Sequence, residues 1–167
     1  MKKIRTLVAL LLLVALALTS CSNAETFEYC ELGIVLTKDF ESYDTDGAFS
    51  VAYSDGSVIV GIARYSFVNC EAMGLLTTFT PYKLANVYLE MMDRMVDEKV
   101  KEYGDVPYFS YTETDESGNE YLYMPTFYRT PYAYFVITFI TPKARTAVAR
   151  EEFFGYMSTV YILEDYL

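Results

Sequence analysis

Three short polar turns, each set between runs of strand-forming residues, constrain this chain more than any other feature. Ser54-Asp55-Gly56-Ser57 separates Ala48–Ser54 from Val58–Ser66, and an Asp-Gly between two such runs is a strong hairpin signal. Asp115-Glu116-Ser117-Gly118-Asn119 separates Val106–Thr114 from Tyr121–Tyr128, and Arg129-Thr130-Pro131 separates that run from Tyr132–Thr141. Runs joined so tightly pair antiparallel, because a parallel crossover needs a dozen or more residues. Along Ala48–Ser54, Ala48, Ser50 and Ala52 alternate against Phe49, Val51 and Tyr53, the period of two that a sheet with unlike faces requires. An earlier run, Glu31–Leu36, reads as the opening strand.

Two helices interrupt the strands. Thr80 can cap, Pro81 suits a first turn, and Leu84, Val87, Tyr88, Met91 and Met95 recur at helical steps until Gly104 stops the chain. The second helix is expected over Ala144–Ile162, burying Ala149, Phe153, Met157 and Val160. Gly155 inside it costs about 1 kcal/mol against Ala, which a close approach of helix to sheet would explain. The order strands, helix, strands, helix argues an α+β fold: an antiparallel sheet with two main amphipathic helices packed on it.

The start of the chain has a different character. A basic Met1–Arg5 precedes Leu7–Leu18, an uninterrupted apolar run of 12 residues. A bilayer needs about 20, whereas 12 fits the core of an export leader. Small residues then lead into a cysteine, Leu18-Thr19-Ser20-Cys21, which resembles the lipobox of bacterial lipoproteins. The resemblance implies a signal peptide over residues 1–20, cleavage before Cys21, and a diacylglyceryl thioether on that residue. It places the protein on the extracytoplasmic face of a cell membrane, with the bilayer as its first partner. Residues 21–29 then read as a tether and 30–167 as a single domain, with no repeat or composition break inside it.

Beyond position 20, 23 acidic residues face ten basic ones, so the remaining chain carries −13. Such a body repels phosphate backbones, which disfavours nucleic-acid binding. The chain has no histidine, so Ser-His-Asp and Cys-His nucleophiles, histidine proton shuttles and His-ligated zinc or haem are excluded. Asp44-Thr45-Asp46-Gly47 looks calcium-like, but aligned on an EF-hand its last ligand position falls on Tyr53, where a bidentate Glu is needed. We expect no metal and no cofactor.

The stretch ELGIVLTKDFESYD, the hairpin around SDGS, the mid-chain helix, and YFVITFITP running into a helix that ends STVYI resemble the PsbP-like α/β/α sandwich. That group includes an extrinsic subunit of the photosynthetic oxygen-evolving complex, a fungal nuclear-import factor that binds the GTPase Ran, and bacterial lipoproteins without an assigned role. The resemblance covers nearly all of residues 30–163. It implies a bias toward protein partners over catalysis.

Four groups of residues could carry a function. Cys30 and Cys70 could form a disulfide outside the cytoplasm, or serve as two buried free thiols. Tyr121 with Tyr123, and Tyr132 with Tyr134, stand two apart and so share a strand face each, and on the last strand Phe135, Ile137 and Phe139 take the opposite face. They read either as a sheet half-covered by a helix or as an aromatic recognition surface. Arg129, Lys143, Arg145 and Arg150 are four of the ten cations, and the last three crowd the start of a helix, the end that prefers anions. They either pair with nearby acids or form an anion-attracting patch. The carboxylate pairs Glu151-Glu152 and Asp115-Glu116 cannot face each other across a cleft, because sequence neighbours diverge on a strand or a helix. The expectation is therefore a noncatalytic envelope lipoprotein that binds or helps assemble another macromolecule. The alternative is a carboxylate-dependent hydrolase acting on envelope glycans.

Overall fold

The computed structural model describes residues 23–72, 74, 76–93 and 98–166. The leader, Cys21 and Met95 lie outside the described residues. Among the described residues eleven strands and three α-helices follow one another: β1 (Ala24–Tyr29), β2 (Leu32–Thr37), β3 (Glu41–Ser42), β4 (Val51–Ser54), β5 (Ile59–Ser66), α1 (Phe67–Ala72), α2 (Pro81–Met91), β6 (Lys101–Tyr103), β7 (Val106–Tyr108), β8 (Tyr111–Thr114), β9 (Glu120–Arg129), β10 (Ala133–Pro142), α3 (Thr146–Met157) and β11 (Tyr161–Ile162). A 3-10 turn, Lys143–Arg145, leads into α3, and a second, Glu164–Tyr166, follows β11.

The main sheet runs β3-β4-β5-β10-β9-β7-β6, with β8 also on β9, and its pairings are antiparallel. The expected hairpins are present: Asp55 Oδ1 accepts the Ser57 and Val58 N–H groups at 2.8 and 2.7 Å, and Asp115 Oδ1 accepts those of Ser117 and Asn119 at 2.9 and 2.8 Å. β10 lies in the middle and is buried on both faces. Phe135, Ile137 and Phe139 meet Leu32, Ile34 and Leu36 of β2 and Ala149 and Phe153 of α3 on one side. Tyr134 and Val136 meet Cys70 of α1 and Leu84, Ala85 and Leu89 of α2 on the other. The fold is thus an α+β sandwich with helices on both faces of an antiparallel sheet.

Several details differ from the sequence reading. A second sheet, β1-β2-β11, covers part of the α3 side. Its first strand occupies residues 24–29, within the stretch 21–29 expected to be tether, so that part of the expected tether belongs to the folded body. The run expected as one strand over 106–114 breaks into β7 and β8. The register continues through the break and sets Phe109 opposite Pro125, a residue with no N–H for the ladder. Helix α2 stops at Met91, because Asp93 turns left-handed at φ +54°, a conformation Asp tolerates.

The final helix stops at Met157. Ser158 and Thr159 hydroxyls donate to the carbonyls of Gly155 and Tyr156 at 2.6 and 2.7 Å, satisfying the helix end. The β-branched and aromatic residues that follow then pair with β2, where Tyr161 lies opposite Gly33. A Cβ on Gly33 would sit 2.4 Å from the Tyr161 ring, so any larger residue here would push that ring off the strand. Gly155, in contrast, is exposed and has nothing within 4 Å of its would-be Cβ, which overturns the expected close approach. Gly155→Ala should therefore raise stability by about 1 kcal/mol, read from the urea midpoint.

Candidate functional site

The four tyrosines proposed from spacing do not form one face. Tyr134 is fully buried, and its hydroxyl donates to the Leu76 and Phe79 carbonyls at 2.8 and 3.0 Å. It is a core residue that latches the loop after α1 onto the sheet. Tyr132 falls in the turn before β10 and is 55% exposed. Tyr121 and Tyr123 are half-buried at the far end of β9, and Tyr123 stacks on Tyr111 with ring centroids 5.2 Å apart. In the β9–β10 register Tyr121 pairs with Pro142 and Arg129 with Tyr134, so the two ends lie about 27 Å apart at 3.4 Å per residue. What survives of the aromatic face is a cleft of 250 Å³ around Tyr121, with Tyr43, Ile59 and Ile140 in its walls.

The four cations also separate. Lys143 pairs with Glu120 at 2.7 Å and Arg145 with Glu152 at 3.4 Å. Arg150 donates to the Ser110 hydroxyl at 3.3 Å. Arg129 sits at the opposite end of β9, over the Phe67 ring at 5.2 Å, and donates to the Thr77 carbonyl. Pairing with neighbouring groups accounts for these residues, and no shared anion site is built from them. Cys30 and Cys70 are free thiols, the first exposed in the β1–β2 turn and the second buried against α2; no disulfide joins them, and of the two readings the buried free thiol holds for Cys70 while Cys30 lies in the open. Asp44-Thr45-Asp46-Gly47 is a turn closed by the Asp46 N–H on Asp44 Oδ1 at 3.0 Å. Among the described residues no group of three Cys, Asp or Glu side chains is placed to hold a metal ion.

Two features were missed. The first is a cleft of 310 Å³ between α2 and the sheet, walled by Tyr65, Leu84, Val87, Tyr88, Met91, Met92 and Val136. Burial pushes the Tyr88 hydroxyl up to about 12, and it shares a hydrogen bond with Tyr65. The pair stays neutral at physiological pH, so this cleft can hold an apolar group and one hydrogen-bonding atom but offers no base. The second is the ion pair of Arg64 with the buried Glu31, whose two hydrogen bonds include Nε to Oε2 at 2.8 Å. It was readable in principle, because Val60, Ile62 and Arg64 alternate onto the same core-facing side of β5.

No family model matches the chain, and no curated protein matches it. Solved structures do. A protein from Bacteroides thetaiotaomicron superposes with a TM-score of 0.58 at 14% identity, covering 85% of this chain and 49% of that one. The chain thus spans about half the length of that protein. The cyanobacterial PsbP protein CyanoP from Synechocystis superposes with a TM-score of 0.50 at 7% identity, covering 85% of this chain and 94% of that one. At these identities the likeness is one of fold, and the fold is similar to that of PsbP.

Proposed function

We propose that the chain is a lipid-anchored, noncatalytic module of the bacterial cell envelope that binds or helps assemble another macromolecule. One observation carries the anchoring: the 12-residue apolar run Leu7–Leu18 leads through Thr19-Ser20 to Cys21, and the first described strand starts three residues after it, at Ala24. At ~0.8 kcal/mol per buried CH₂, two or three acyl chains at Cys21 hold such a body almost permanently. Among the described residues no helix is long and apolar enough to cross a membrane itself.

The carboxylates support a binding role over hydrolysis. A glycosidase needs a carboxyl raised to act as an acid, facing a second one across a cleft. Hydrogen bonds from Arg64 hold Glu31 below the usual carboxylate range, against the pull of burial. Burial pushes Asp55 up, but bonds from Ser57 and Val58, helped by Arg145, bring it below that range. The five main clefts of the described residues each have at most one carboxylate in their walls.

Cys21→Ala should move the protein from the membrane fraction to the soluble fraction of its own cells. Mass spectrometry of the native chain should find an acylated Cys21 at the N-terminus. An unmodified thiol there, or an uncleaved leader, would end the reading.

A further inference from the structure

The direction of β1 decides which end of the molecule is held near the anchor. The chain enters at Ala24, opposite Thr37, and runs to Tyr29, opposite Leu32. The Glu31–Arg64 ion pair sets that far end of β1 beside the last residues of β5. From there the chain passes into α1, whose Phe67 N–H donates to the Tyr132 carbonyl at 3.0 Å. The Tyr132 ring meets Tyr166 at 6.4 Å, and Arg129 reaches the Thr77 carbonyl at 3.3 Å. Pro81, at the start of α2, shares a cleft with Arg129, Thr130 and Tyr161. All these segments gather at the end away from Ala24.

Six of the ten exposed large hydrophobic residues among the described residues lie there: Val68, Leu76, Tyr82, Tyr132, Tyr161 and Tyr166, the first two 82% and 60% exposed. Single exposed apolar residues are ordinary, but a concentration of them marks an interaction surface. Its rim is acidic. Glu71 stands one turn along α1 from Val68, and exposed Glu164 and Asp165 precede Tyr166. The cations at this end are engaged: Arg129 by Phe67 and Thr77, Lys83 over the Phe79 ring at 6.0 Å, and Arg64 by Glu31.

We propose that this end docks a second envelope protein, one that presents an apolar centre ringed by Lys or Arg. The proposal rests on the anchored reading. From Cys21 to Ala24 the chain reaches at most about 11 Å, whereas β1 alone is about 17 Å long, so this end meets its own bilayer only if the body lies down along β1, which its charge of −13 opposes beside anionic headgroups. A second copy is disfavoured because each body carries −13 and would meet the other with the same acidic rim.

The test places a photo-crosslinking phenylalanine analogue at position 68, 76 or 38 of the full-length protein in its own cells; Lys38 is exposed and its N–H donates to the Asn23 carbonyl at 2.9 Å, beside the start of β1. Crosslinks from 68 and 76, absent from 38 at the anchored end, should reach one basic-faced protein. With both proteins purified, Val68→Asp and Leu76→Asp should each weaken binding more than tenfold at unchanged melting temperature. Glu71→Lys and added salt should weaken it severalfold. Crosslinks to lipid, crosslinks to a second copy, equal yield from position 38, or no crosslink would overturn the proposal. Mass spectrometry of Cys21 in the same preparation reports separately on the anchor.

Discussion

Arg64→Met should destabilise the protein by about 3 kcal/mol, read as a shift of the urea midpoint at neutral pH. Glu31 is 2% exposed, and its carboxylate depends on the Arg64 guanidinium, which also lies 5.9 Å from the centre of the Phe135 ring. Removing the cation leaves a buried charge without compensation, and that penalty exceeds the net worth of the pair. A double variant, Arg64→Met with Glu31→Leu, should therefore recover much of the loss. The pH dependence has a definite sign. Because Arg64 lowers the folded pKa of Glu31, the stabilisation is complete above the unfolded value of about 4.3 and is lost as pH falls through the lower folded value. Below about pH 4 the wild type should lose stability more steeply than Glu31→Gln. Parallel acid profiles would show that the carboxylate is not held by its partner.

Phe153→Ala should cost about 4 kcal/mol. The ring is fully buried and stacks on Phe139 at 5.1 Å, while α3 packs against both β2 and β10. It is the side chain through which the last helix closes the core between the two sheets, so truncation leaves a cavity that neither sheet can fill without moving. Thermal denaturation should show the lowered midpoint. Val148→Ala on the same helix, 61% exposed, should change it little. A small loss at Phe153 would mean that the site collapses around the smaller side chain.

The central sheet was legible because its signals are local. Phe135, Ile137 and Phe139 alternate cleanly, and Asp-Gly and Ser-Gly-Asn turns fold their neighbours back. The second sheet was not legible. β1 carries two glutamates and is largely exposed, and β11 is two residues long, so neither has a period to read. Its formation depends on residues more than 120 positions apart: the Thr159 hydroxyl bonds both the N–H and the carbonyl of Val35. Likewise, spacing put Tyr132 and Tyr134 on one face, but whether a tyrosine ends under a loop or in solvent depends on where residues 76–79 lie. Periodicity assigns faces to a strand; it does not say what covers them.

The placement of β10 bears on how this protein can be made. The strand that joins β5 to β9 begins at Ala133, and β11, which closes the small sheet on β2, comes later still. No fragment ending before Ala133 can complete either sheet, so a chain delivered from its N-terminus can pair β1 with β2 and β4 with β5 but cannot close its core until nearly all of it has emerged. Vectorial synthesis or export thus ends in one late, concerted closure, and a chain truncated before Ala133 should be found only as a protease-sensitive species.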